Sequence, residues 1–198
     1  PEHEYVIGCD LAKVQDYTVL AIYDRGNNQQ VGQARWNKLD WGMQKMRIVQ
    51  TAKHWNNAVV RVDATGLGDP IVEELARMGV AVDAFKFTND SKRQIIEKLA
   101  TWIETKKIRI INNPETISEL TNFTYDISEQ TGRVRYEAPQ GFHDDIVIAH
   151  GLAVWGLNPL YSTSNGKEPT RIHQELQRRL LNQSYRDSDE ADWDNWAA

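Results

Sequence analysis

The chain of 198 residues holds one cysteine, Cys9. A single thiol rules out an internal disulfide framework, so a reducing, cytosolic setting is expected. Cys9 lies inside an apolar run, where packing rather than catalysis is its expected role. No apolar stretch approaches the roughly 18 residues that cross a bilayer, and no signal peptide is expected ahead of the first strand. Gly-x-x-x-x-Gly-Lys-Ser/Thr, the phosphate loop of many nucleotide-binding motors, is missing. Internal repeats are missing too. A large charge excess is also lacking: 23 Lys and Arg face 28 Asp and Glu, a net of −5. That figure hides an asymmetry, because residues 185–198 carry five acids and one Arg and leave a net of only −1 for everything before them.

What the sequence does have is three apolar runs bounded by aspartate. Tyr5 to Asp10 is the first, Ala58 to Asp63 the second, and His143-Asp144-Asp145 opens the apolar stretch Ile146 to Trp155. A single aspartate at a strand end or helix start is ordinary, since it accepts backbone N–H bonds and complements the helix dipole. Three such sites converging on one sheet edge would repel one another unless a cation offset the charge. Hard divalent cations take oxygen ligands and are typically held by one or two carboxylates plus substrate phosphates. The pattern therefore points to a metal-dependent phosphodiesterase site.

Composition and periodicity predict strands at 5–10, 17–23 and 30–36, a helix over 41–55, and a strand over 59–63. A helix capped by Asp69 with Pro70 in its first turn should close at Gly79, followed by a strand over 80–87. Ser91 to Gln94 reads as a capping box starting a helix to about Lys106. A short strand over 108–111, a helix over 114–125, a hairpin turned at Thr131-Gly132 into 134–137, and a helix over 143–157 complete the pattern. The expected fold is α/β, a mixed sheet with helices on its faces. Residues 1–157 form the predicted domain; 158–170 read as a Pro, Ser, Asn and Gly linker, 171–182 as a short helix, and the acidic end as a partner-docking tail. The chain starts at Pro1 without an initiator Met, so it is expected to be a piece of a longer polypeptide.

A βββαβα core with an acid on the first strand, one after the fourth and one on a late helix resembles the ribonuclease H-like fold. The residues narrow this further. Gly8-Cys9-Asp10-Leu11-Ala12-Lys13 with Asp16-Tyr17-Thr18, then Val62-Asp63-Ala64-Thr65-Gly66-Leu67-Gly68-Asp69, then Ser91-Lys92, then Tyr136 through Phe142-His143-Asp144-Asp145, resemble the nuclease domain of the large terminase subunit of tailed bacteriophages. The likeness spans about residues 5–157. It implies an endonuclease that cuts double-stranded viral DNA during genome packaging, in the host cytoplasm and without a membrane. It implies two Mg²⁺ or Mn²⁺ ions, and as partners an ATPase motor domain (absent here), the portal protein and the small terminase subunit.

Within that resemblance Asp10 would bridge the ions, with Asp63 and Asp145 completing the two coordination spheres. Neighbouring helix residues point about 100° apart, so Asp144 and Asp145 are not both expected as inner ligands. Asp145 shares a stripe with Ala149, Leu152 and Gly156 and is preferred; Asp144 is the reserve. His143 either contacts phosphate or water or caps the helix. Asp16 is either a supporting acid or a turn residue, and Gly66 and Gly68 either admit a phosphate or form a tight loop. Lys92, a cation at a helix start, is the preferred DNA contact among Lys86, Lys92, Arg93, Lys98, Lys106, Lys107 and Arg109. Trp36, Trp41, Trp55, Trp102 and Trp155 are expected in the core, Trp193 and Trp196 in the docking tail. A Holliday-junction resolvase-like nuclease and an actin-like fold kinase are the alternatives; the kinase would need a Gly- and Thr/Ser-rich loop that 11–15 lacks.

Overall fold

The computed structural model describes residues 3–11, 17–65, 69–127, 134–137 and 143–157. Three strands come first, β1 (Tyr5–Asp10), β2 (Thr18–Asp24) and β3 (Gln29–Trp36). They are followed by α1 (Trp41–His54), β4 (Val59–Asp63), α2 (Asp69–Arg77), β5 (Val82–Phe85), α3 (Asn89–Glu104) and α4 (Pro114–Asn122). β6 (Thr124–Ile127), β7 (Val134–Glu137) and α5 (Asp145–Gly156) close the series. The five-stranded sheet runs β3-β2-β1-β4-β5, with β1 antiparallel to β2 and parallel to β4; β6 and β7 pair separately. This is the mixed α/β sheet expected, with the opening antiparallel meander in place.

Period-two alternation decides what each face carries. Ile7 and Cys9 of β1 and Val60 and Val62 of β4 pack into one cluster with Ile48 of α1 and Leu75 of α2. The residues between them, Val6, Gly8 and Asp10 on β1 and Arg61 and Asp63 on β4, therefore fall on the opposite face. That face is covered by α3 and α5, whose Ile95, Leu99, Ile146, Ala149 and Leu152 join Val6, Val19 and Ala21 in a second cluster. Fully buried side chains such as Ile146 and Leu152 each contribute about 1.5–3 kcal/mol through burial. α5 comes so close to β1 that a Cβ at Gly8 would run into the backbone of Ala149 and Ala153. Glycine is required there by contact, not by backbone angle.

Five local expectations are corrected. Residues 108–111 form no strand, only a bridge from Arg109 to Gln29, because the Ile111 amide donates to the Gln30 side chain at 2.9 Å instead of extending the ladder. The helix from Pro114 ends at Asn122, and Thr124 begins β6. The capping box sits three residues earlier than predicted: Thr88 is the N-cap and Ser91 the third helical residue. Asp69 lies inside the first turn of α2, and β5 is shorter than 80–87. Trp36 and Trp102 are buried, while Trp41, Trp55 and Trp155 pack at the core margin.

One polar chain crosses the apolar layer under α5. Gln33 Oε1 accepts from Thr116 Oγ1 (3.0 Å) and lies 3.2 Å from His150 Nε2, which must then carry the proton. His150 Nδ1 is left to accept from the Tyr23 hydroxyl at 2.6 Å. Burial holds the His150 imidazolium down to about 3, far below the ordinary histidine range. In the unfolded chain it would protonate near its ordinary value, so the folded state is favoured above that value and loses stability as pH falls toward 3. Relative to His150→Gln, which keeps an acceptor and a donor, the parent is expected to lose about 2 kcal/mol between pH 7 and pH 5. Urea unfolding of both proteins at the two pH values measures this; parallel losses would place the acid sensitivity elsewhere.

Candidate metal centre

β1 is the central strand, and Asp10 stands at its C-terminal end on the face that α5 covers. Asp63 ends the neighbouring parallel strand one position beyond the Cys9–Val62 pair, on the same face. Its Oδ1 accepts the Thr65 amide at 2.7 Å, and the Thr65 hydroxyl accepts the Phe87 amide at 2.6 Å, which fixes the turn leaving β4. Asp144 and Asp145 arrive at the N-terminus of α5, brought over the strand ends by the close approach at Gly8.

The electrostatics show that these groups feel one another. The Asp10 carboxyl is pushed well above the usual carboxylate range, first by burial and then by Asp145, Asp144 and Asp63, with Lys92 pulling the other way. Burial, Asp10 and Asp63 likewise push up the Cys9 thiol. A fully buried, poorly ionised thiol is no nucleophile, so Cys9 is a packing residue as expected. Lys92 Nζ lies 3.2 Å from Asp144 Oδ2, so the lysine predicted to meet DNA also faces the acid cluster. Asp145 is 8% exposed, and its Oδ2 stands 3.6 Å from His143 Nδ1. The His143 ring packs edge-on to Tyr17 at 5.5 Å, and the Arg35 guanidinium lies 3.7 Å over the Tyr17 ring. His143 does not cap α5; Asp144 occupies the N-cap position. Asp16, Gly66 and Gly68 lie outside the described residues.

Among the described residues no three acidic, imidazole or thiol side chains are gathered into ready metal-binding geometry. Two of these carboxylates already have cationic or imidazole neighbours, Lys92 beside Asp144 and His143 beside Asp145. The donor chemistry nonetheless fits: an all-oxygen set with one partly buried acid at its middle suits a hard divalent cation and lacks the softer thiolate set.

Sequence reasoning missed Glu119. This buried acid of α4 accepts the Ile146 amide at 3.0 Å and lies 3.5 Å from the Arg35 guanidinium. Burial pushes its carboxyl up, while the Ile146 amide and Arg35 pull it down. Read along the chain it is one more acid on an exposed-looking helix, and only the fold reveals its neighbour 27 residues later.

Residues 7–155 match the family described as Terminase RNaseH-like domain. The large terminase subunit of Thermus virus P23-45 is 32% identical over 169 residues, covering 85% of this chain and 33% of that protein. The chain thus spans about a third of that relative. Among solved structures, the large terminase nuclease from thermophilic phage G20c with bound magnesium is similar with a TM-score of 0.75 at 31% identity, over 80% of this chain and 84% of that one. The large terminase nuclease domain of Thermus phage P74-26 gives 0.71 at 30% identity, over 86% and 85%. With a family match over most of its length and a relative 32% identical over 85% of it, the chain belongs to the RNase H-like domains of phage large terminase subunits.

Proposed function

We propose that this domain is a metal-dependent endonuclease that cleaves double-stranded viral DNA during genome packaging. The observation that carries the reading is the meeting of Asp10, Asp63, Asp144 and Asp145 at one end of the central strand, where each raises the cost of ionising Asp10. The similar G20c nuclease has been solved with magnesium. Asp10, Asp63 and Asp145 would hold two Mg²⁺ or Mn²⁺ ions, with Asp144 in reserve. Such a pair supplies an activated water and stabilises the leaving oxygen of the scissile phosphate. The remaining work falls to the protein: the sheet fixes Asp10 and Asp63, α5 delivers Asp145, and His143, braced by Tyr17, stands beside that carboxylate. Lys92, which pairs with Asp144, would offer its ammonium to the DNA backbone.

The same reading extends beyond the described residues. Asp16 would support the ligands, and Gly66 and Gly68 would admit a phosphate near the start of α2. Residues 158–198 would form a linker and acidic tail docking onto the portal, alongside an ATPase motor domain and the small terminase subunit in the host cytoplasm. Among the described residues no helix is long and apolar enough to cross a membrane.

Two outcomes follow. Plasmid nicking should require Mg²⁺ or Mn²⁺ and stop with EDTA, and Asp10→Asn should abolish it while leaving thermal stability unchanged or raised. The sign comes from the raised Asp10 carboxyl: the folded state holds that proton more tightly than the unfolded chain, so ionised Asp10 costs stability at neutral pH. Asp10→Asn cutting at the parent rate would misplace the metal centre. Lys92→Ala should weaken DNA binding evenly across sequences and lower the slope of log affinity against log salt by about one. An unchanged slope would leave Lys92 as a counter-ion of Asp144 alone.

A further inference from the structure

A helix start that must present two carboxylates sideways has a capping problem. An aspartate at the N-cap ordinarily turns its own side chain back to accept an amide two or three residues on. Asp144 holds the N-cap position of α5 but makes no side-chain capping bond, and its Oδ2 faces Lys92 instead. The amide it would normally take, that of Ile146, donates to Glu119 Oε2 at 3.0 Å. Glu119 belongs to another helix, α4, and is 8% exposed. α4 is itself tied to β3: the Thr116 hydroxyl donates to Gln33 at 3.0 Å, and Arg35 reaches Glu115 at 2.9 Å as well as Glu119. At the far end of α5, Lys98 Nζ donates to the carbonyls of Trp155 and Leu157 at 3.2 Å each. The helix is thus clamped at both ends by side chains from its neighbours, an anion at the N-terminus and a cation at the C-terminus, each matched to the helix dipole.

We propose that Glu119 is a positioning residue of the metal centre: a cap supplied from α4 that relieves Asp144 of capping and leaves Asp144 and Asp145 aimed at Asp10. The inference rests on the metal-nuclease reading above. A carboxylate suits the task because a charged acceptor forms the stronger bond to a backbone N–H. Without Glu119, the Ile146 amide would be orphaned beside Asp144, whose backbone, now at ψ 7°, would swing toward the extended range of the side-chain-capped helices here (ψ 126–168°) to bring its carboxylate onto that amide. The aspartate would then leave Lys92 and the acid cluster, and α5 would settle on its own cap.

The test is a titration of the 198-residue protein with Mn²⁺, following the rise in melting temperature, for the parent, Glu119→Ala, Glu119→Gln, Lys98→Met and Asp10→Asn. Glu119→Ala should weaken apparent Mn²⁺ affinity about 10–100-fold, the range found when a group orienting metal ligands is removed. Glu119→Gln keeps an acceptor oxygen and should stay close to the parent. Lys98→Met loosens the other end of the same helix, so it should lower the melting temperature in the absence of metal while keeping the parent's affinity. Parent-like Mn²⁺ affinity in Glu119→Ala, or an equal loss in Lys98→Met, overturns the proposal and reduces Glu119 to a stabilising cap. A parent with no Mn²⁺ response that Asp10→Asn removes would overturn the metal reading, and the positioning role with it.

Discussion

Everything at the candidate centre depends on how closely one helix can lie on one strand. α5 rests its backbone on β1 at Gly8, a position where any side chain would meet the Ala149 carbonyl and the Ala153 amide. That contact sets the height of α5 above the sheet, and so where Asp145 stands relative to Asp10. It also explains the uniform hydrophobicity of α5, in which residues from Asp145 to Val154 are all buried. A helix enclosed on every side keeps its place by packing, so its start can carry groups that repel one another.

The repulsion is contained, not avoided. Lys92 answers Asp144, His143 stands against Asp145, and burial together with the neighbouring acids makes Asp10 costly to ionise. Around them the charges are arranged so that the helix bearing two of the acids is stabilised at its ends by Glu119 and Lys98. Two of the four acids thus sit on strands, where alternation fixes their direction, and two on a helix, where direction must be enforced from outside.

This division also governs what could be read from the sequence. Asp10 and Asp63 were legible because each closes an apolar strand and period-two alternation puts both on one face, a local property. Asp144 and Asp145 were legible as the start of an apolar helix. Glu119, Arg35 and the Gln33–His150–Tyr23 chain were not, since each acts through partners tens of residues away, and side-chain identity alone does not announce a non-local bond. The false strand over 108–111 failed for a related reason: its β-branched residues suit a ladder, but the Gln30 side chain takes the Ile111 amide that the ladder would have used.

The clamped helix also has a consequence in time. β1, β2 and β3 pair with their sequence neighbours, so a growing chain can assemble the meander early, with Asp10 in place. α5 lies some 140 positions further on, and docking against β1 closes the longest loop between these elements. Until α5 is laid down, two of the four acids are missing from the strand ends. A half-made chain on a ribosome, or one that has lost α5 by local unfolding, therefore lacks a complete centre. Completion of the candidate centre is thus tied to the docking of α5, a step that an unfinished chain has yet to make and a locally unfolded one has undone.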